Sequence, residues 1–296
     1  MKTLVTILTY IFIIIGCIML SAFLVEIVRD NRITLFHRLD FKYLKTLGES
    51  GQVLATVWSI IGVLLIVVTL NVQKEQFADN KNFIEKQQFE TTFFNMLNVL
   101  FNIKIALKRE VELSPSKTVE GQHLIDYMKF ELGEIYKSHL LSLSENSPVP
   151  EIIAKVNGNQ KLEDLEREIL KAEINGVYMT FYKKYYTELG HFFRYLYNII
   201  KFTRDHRFKH MDDQYYVNMI QAQLSNNELA LIFYNVISEK SLNKEKISNF
   251  FNLLEEYNFF ENIDESSLID RSHHTLYPKT NFKFLNIDEK RLRAGQ

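Results

Sequence analysis

Residues 53–70 (VLATVWSIIGVLLIVVTL) decide the fold of the first quarter of the chain, together with residues 3–25 (TLVTILTYIFIIIGCIMLSAFLV). Neither run carries a charged residue. A helix of about 20 apolar residues is what the roughly 30 Å hydrocarbon core of a bilayer requires. The two runs therefore predict two transmembrane helices, which form a hairpin over residues 1–72.

The first run also allows a different interpretation. Its segment from Ile14 to Cys17 (IIGC) resembles the site at which a bacterial lipoprotein is cleaved and acylated. The apolar run continues to Val25, however, where a mature lipoprotein should become polar. Its length favours a transmembrane helix over a signal peptide.

The expected location is the bacterial inner membrane, with two spans and a cytoplasmic soluble domain. Basic residues on the two sides of the predicted hairpin nearly balance, so the positive-inside rule gives little direction. The only cysteine is Cys17, inside the first run, so a disulfide-stapled exported domain is excluded. A soluble domain without disulfides fits the cytoplasm.

The composition predicts an all-α fold. Only 4 prolines and 10 glycines interrupt 296 residues, whereas 23 Phe and 15 Tyr are available for a core. Few helix breakers and many aromatic residues favour long helices around an aromatic core. The net charge of −1 provides no overall attraction for nucleic acid, which is therefore not an expected partner.

The second span has no evident end, because no proline occurs between Gln52 and Val111. We expect it to continue through residues 73–112 as a helical stalk and the first core helix. A helical soluble domain is expected over residues 113–265, and an irregular C-terminal tail over residues 266–296. Within the domain, Ser225 and Glu228 have the spacing of a capping box at the start of a helix.

Four segments, in order, resemble a known family. They are FETTFFNMLNVLFNI (89–103), YYTELGHFFRYLYNIIKF (185–202), YYVNMIQAQLSNNELALIFYN (215–235) and LLEEYNFFENI (253–263). Together they are similar to the phage abortive infection family of the AbiC-like type, over about residues 75–265. The resemblance implies paired membrane helices before a helical domain and a role in bacterial defence against phage. It implies no catalytic residues.

The most chemical-looking cluster is the polar connector RDHRFKH at 204–210. Arg204 and His210 match the loose spacing of HEPN-type ribonucleases, in which the arginine would hold the scissile phosphate and the histidine would act as acid or base. The same segment is typical of a solvated loop between two helices. The pattern is short, so the two residues are the alternative catalytic pair, and no catalytic residue is assigned.

Three polar residues of one predicted helix form a candidate binding strip. His191, Arg194 and Tyr197 are spaced by three residues and share a helix face. They could contact a ligand or a trigger protein, or form a hydrogen-bonded contact between packed helices. Asn226 and Asn227 are further binding candidates, because the predicted cap does not account for them.

No metal site and no cofactor are expected, since the chain carries no motif of useful specificity for either. We therefore expect a membrane-anchored antiphage sensor-effector without enzymatic activity. The expected partners are the lipid bilayer, a phage-derived or host protein trigger, a second copy of the chain, or a co-encoded defence protein. The alternatives are a membrane-tethered HEPN-like ribonuclease and a structural membrane adaptor of a defence system.

Overall fold

The computed structural model describes residues 2–29, 41–111, 117–242 and 248–285. In this part of the chain the fold is helical apart from one two-stranded hairpin, which confirms the all-α prediction in its main feature. The elements are α1 (Lys2–Arg29), α2 (Phe41–Ile105), β1 (Lys108–Val111), β2 (Lys117–Glu120), α3 (Gly121–Ser142), α4 (Val149–Asn157), α5 (Asp164–Asp205), α6 (Asp213–Ala222), α7 (Asn226–Ile237) and α8 (Asn249–Glu256). Three short 3-10 helices cover Glu239–Ser241, Glu265–Ser267 and Arg271–Leu276. The chain divides into two compact units, Met1–Lys86 and Gln87–Gln296.

The unit Met1–Lys86 contains α1 and the first part of α2. The two helices meet at Gly16, where an added Cβ would lie 2.7 Å from the Cδ1 of Ile61 and 3.8 Å from the ring of Trp58. Ile61 is only 1% exposed. The small residue at position 16 thus permits a close approach of the two helices.

One helical stretch of the described residues, Gly51–Ile105, is long and apolar enough to cross a membrane. Only 6% of the most apolar 18-residue segment of this stretch is buried, so this segment does not form the buried core of its unit. In α1, the described residues give a shorter apolar stretch, Tyr10–Ala22. Of the two predicted spans, residues 53–70 therefore lie in a candidate span by length and composition, whereas the apolar stretch of the first run is too short for the same criterion.

Helix α2 is a single helix of 65 residues, and its last turns supply part of the core of the unit Gln87–Gln296. Phe89, Phe93 and Leu100 are at most 5% exposed there. The sequence predicts a stalk and first core helix over residues 73–112, whereas α2 ends at Ile105 and the chain turns into β1. Strand β1 pairs antiparallel with β2, with Lys108 opposite Glu120. Residues 112–116, which include Pro115, lie outside the described residues.

Helices α3, α5 and α7 pack on one another around the centre of this unit. The middle of α7, Leu229–Ile237, is buried on every side. A helix that is apolar on all sides is stable only when other elements cover it completely. Helix α7 is covered in this way and is therefore the central helix of the domain.

Helix α5 is kinked at Tyr185, whose φ of −117° and ψ of 15° are not helical. Arg109 of β1 reaches this point: its Nη1 donates to the Lys184 carbonyl oxygen at 2.7 Å and to Glu188 Oε1 at 2.8 Å. The guanidinium also lies 4.7 Å from the centroid of the Tyr185 ring. Because a kink leaves helical carbonyl groups without their usual donors, the hairpin supplies the missing hydrogen bond.

The described residues from Ser266 onward, where the sequence predicts an irregular tail, form a segment that packs against the core. Two 3-10 helices form there, and Leu268, Leu276 and Phe282 are at most 5% exposed. His273 is completely buried between Tyr234 and Tyr136, with its Nδ1 2.9 Å and its Nε2 3.0 Å from their hydroxyl oxygens. Tyr277 donates to the Phe233 carbonyl oxygen at 2.8 Å. This segment is part of the core, and residues 286–296 lie outside the description.

Candidate functional site

A cavity of about 280 Å³ lies in the domain, where α5 faces α7, α8 and the 3-10 helix Glu239–Ser241. Arg194 and Tyr197 line it from α5, and Lys240 lines it from the 3-10 helix. Two members of the predicted binding strip thus face the same space.

The cations at this cavity have no carboxylate partner among the described residues. Arg194 donates its Nε to the Gly190 carbonyl oxygen at 2.9 Å, which fixes its direction but does not neutralise it. Lys240 Nζ lies 5.9 Å from the centroid of the Tyr182 ring. Arg194 interacts electrostatically with the same tyrosine. Burial raises the pKa of Tyr182, and the positive charge of Arg194 opposes that rise. The two positive groups therefore border one ring and make this face attractive to an anion.

The walls of the cavity are aromatic. Phe193, Tyr197 and Phe250 line it, and the rings of Tyr197 and Phe250 meet edge to face at 5.4 Å between centroids. Lys201 Nζ lies 6.0 Å from the centroid of the Tyr197 ring and adds a third positive charge to this neighbourhood.

Amide and hydroxyl groups complete the lining. Asn235 is 6% exposed, and its Nδ2 donates to the Tyr178 hydroxyl oxygen at 2.8 Å. Its Oδ1 accepts no hydrogen bond from the described residues. Ser241 donates to the Ser248 hydroxyl at 2.8 Å, and Asn249 is an exposed amide at the start of α8. The site therefore offers both donors and acceptors beside its cations.

His191, the third member of the strip, lies elsewhere. It lines a second cavity of about 470 Å³, between α5 and the end of α2. On an α-helix, each step of three residues falls about 60° short of a full turn. His191 and Tyr197 are two such steps apart, so their side chains point about 120° away from each other and contact different neighbours. Glu188 lines this second cavity as well, with one carboxylate oxygen bound to Arg109 and the other buried without a hydrogen bond.

The capping box at α7 is confirmed. The Glu228 amide donates to Ser225 Oγ at 3.2 Å, and the Ser225 amide donates to Glu228 Oε2 at 2.6 Å. Lys104 from the end of α2 lies 2.8 Å from Glu228 Oε1 and also donates to the Gln223 carbonyl oxygen at 2.9 Å. The cap is therefore also the point at which α2 is attached to α7.

The two asparagines beside this cap differ in their surroundings. Asn227 donates its Nδ2 to Asp126 Oδ1 at 2.8 Å, which gives it a structural partner on α3. Asn226 is exposed at the first position of α7. Neither lines the cavity of Arg194, and a binding role for either stays a prediction.

Arg204 lies in the last turn of α5, and His210 lies in the connector that follows this helix. Arg204 forms an ion pair with its neighbour Asp205, at 3.0 Å. His210 is exposed and has a φ of 63°, and no hydrogen bond joins it to Arg204 among the described residues. Both side chains can be reached from solvent, and their catalytic role stays a prediction.

Sequence reasoning missed Asn235, Lys240, Asn249 and Phe250, which complete the cavity of Arg194. They follow Arg194 by about 40 to 56 positions, and no short motif joins them. Between residues 2 and 285, outside the gaps in the description, no group of three or more His, Cys, Asp or Glu side chains is arranged to hold a metal ion.

Comparison with protein families gives one match. Residues 184–268 match the family described as "Putative phage abortive infection protein". The matched segment runs from the kink of α5 to the 3-10 helices after α8 and contains every residue that lines the cavity of Arg194. No curated protein and no solved structure gives a significant match.

Proposed function

We propose that this protein is a membrane-anchored bacterial antiphage defence protein that acts as a sensor-effector without enzymatic chemistry. The observation that carries the proposal is the match of residues 184–268 to a phage abortive infection family. The domain would recognise a sign of infection, either a phage-derived or a host molecule, and the apolar helices would act on the membrane in response.

The anchor in this proposal is a two-span hairpin in the inner membrane, with the domain in the cytoplasm. The apolar stretch within Gly51–Ile105 and the apolar α1 support it. The contact of Gly16 with Ile61 gives the two helices a packing surface that needs no polar group. Since the described apolar residues carry no charge, conduction through the membrane would need several copies of the chain, or a co-encoded partner.

Phage plaque counts on cells that produce three variants test the proposal. Deletion of residues 1–72 should abolish protection, because the effector step needs the membrane. His210→Ala should protect as the wild type does, since this side chain is exposed and has no described partner. Circular dichroism shows whether each variant is folded, and carbonate extraction shows whether the full chain is integral to the membrane.

The second candidate function is a membrane-tethered HEPN-like ribonuclease. It is favoured by one observation: Arg204 and His210 are both accessible at the end of α5. In that case Arg204→Ala and His210→Ala would each abolish protection in a folded protein, and RNA cleavage would be lost with it. If the chain were instead a structural adaptor, protection would depend on a co-encoded protein. Arg204→Ala and His210→Ala would then both protect as the wild type does.

A further inference from the structure

The cavity of Arg194 brings together three kinds of groups, which are cations, aromatic rings and amides. Arg194 and Lys240 supply positive charge that no described carboxylate neutralises. Phe193, Tyr197 and Phe250 supply aromatic walls. The buried amide of Asn235 and the exposed amide of Asn249 supply hydrogen-bonding groups of both kinds.

Each kind of group selects a different part of a ligand. Arg and Lys bind phosphate oxygens through charge-assisted hydrogen bonds. Aromatic side chains and the planar guanidinium pack against flat heterocyclic rings. Amide groups recognise the donors and acceptors at the edge of such a ring. An aliphatic acid would use only the first kind, and an uncharged ring only the second and third.

The size of the cavity limits the ligand further. Its volume of about 280 Å³ is slightly below the range of roughly 300–1,000 Å³ that is usual for small-molecule sites. One ring system with one sugar phosphate fits this space better than a dinucleotide does.

We propose that the cavity between α5, α7 and α8 binds a nucleoside monophosphate, with Arg194 and Lys240 on the phosphate and the aromatic and amide groups around the base. The role of this ligand as the trigger of defence rests on the proposed function. The binding itself does not, and it can be measured without phage.

Isothermal titration calorimetry on the full-length protein in detergent micelles tests the site, with AMP, GMP and UMP as probes. We expect at least one of them to bind with a Kd of about 10 µM to 1 mM, as is typical of a small ligand held by a few contacts. Inorganic phosphate and adenosine should each bind about tenfold or more weakly, because each lacks one part of the recognised structure.

Arg194→Gln and Lys240→Gln should each weaken the binding about tenfold or more, since each removes a charge-assisted hydrogen bond. Lys137→Gln is the matched control, because Lys137 is an exposed cation on α3 that pairs with Glu134 and does not line the cavity. It should bind as the wild type does. All three positions are on the surface, so folding should be unaffected, and thermal melting curves check this.

The proposal is overturned if none of the three nucleoside monophosphates shows saturable binding, even at concentrations well above the expected Kd. It is also overturned if Arg194→Gln and Lys240→Gln bind the nucleoside monophosphate as tightly as Lys137→Gln does. Equal affinity for phosphate and AMP would refute the role of the aromatic walls, and equal affinity for adenosine and AMP would refute the role of the cations. If AMP binds as expected but Arg194→Gln still protects cells, the site exists and the defence role assigned to it is wrong.

Discussion

Mild acid should destabilise the domain through His273. This side chain is completely buried between two tyrosines. The hydroxyl oxygen of Tyr234 already accepts a hydrogen bond from the Ile269 amide at 2.8 Å, so its proton is free to be donated to Nδ1 of the imidazole. The proton on the neutral ring is then at Nε2, which donates to Tyr136. Protonation of Nδ1 would place its N–H opposite the O–H of Tyr234, so that two hydrogen-bond donors would face each other.

The magnitude follows from the pKa of this imidazole. Burial lowers the pKa of His273 from 6.5 to about 4, so the unfolded chain binds the proton more readily than the folded one. The stabilising contribution is complete above pH 6.5 and is lost as the pH falls towards 4. At pH 4.5 the free energy of unfolding should therefore have decreased by on the order of 2–3 kcal/mol through this group, since one pKa unit corresponds to about 1.4 kcal/mol.

The assay is urea unfolding of the full-length protein in detergent at pH 7 and pH 4.5, followed by near-ultraviolet circular dichroism of the buried tyrosines. His273→Leu should be less stable at pH 7, and on acidification it should lose less stability than the wild type, by on the order of 2–3 kcal/mol. His210→Ala, which removes an exposed histidine, should keep the wild-type pH dependence. If His273→Leu and the wild type lose equal stability between the two pH values, the reasoning from burial is wrong.

Three further substitutions test other contacts. Ser225→Ala removes the cap of α7 and should cost about 0.5–2 kcal/mol in thermal melting, whereas unchanged stability with lost antiphage activity would show a functional residue instead. Arg109→Ala leaves the Lys184 carbonyl without its donor at the kink and should cost about 1–3 kcal/mol in urea unfolding; hydrogen exchange that remains slow around the kink would contradict this. Gly16→Leu should cost about 1–3 kcal/mol in melting in detergent, because its side chain would overlap Ile61. Gly62→Leu, at a position with no neighbour within 4 Å, is the control and should not.

Local signals in the sequence were sufficient where the structure depends on neighbours in the chain. The capping box is an example, since Ser225 and Glu228 are three residues apart and both satisfy amides of the same turn. The unbroken course of α2 from Gln52 to Ile105 followed equally from the absence of proline in this stretch. These features need no information about distant residues.

The kink, the hairpin and the tail depend on contacts between distant residues and could not be predicted in this way. The kink at Tyr185 is stabilised by Arg109, 76 positions earlier in the chain, and the 3-10 helix Arg271–Leu276 is fixed by Tyr136 and Tyr234. The cavity of Arg194 shows the same limit, because Lys240 and Phe250 reach it only after α7 has packed on α5. Periodicity identified the helix of Arg194 but not the elements that face it.

The buried C-terminal segment affects how the protein is made. Ribosomes add about 5–20 residues per second, and domains fold as their residues emerge. Phe282 follows the end of α7 at Ile237 by 45 positions, so the core of α7 waits about 2–9 s for the residues that cover it. During that interval Phe233 and Tyr234 lack the cover that His273 and Tyr277 later provide. A chain that stops early in this region leaves Phe233, Tyr234 and the rest of the apolar helix α7 without this cover, and exposed apolar surface of this kind makes incomplete chains prone to aggregation.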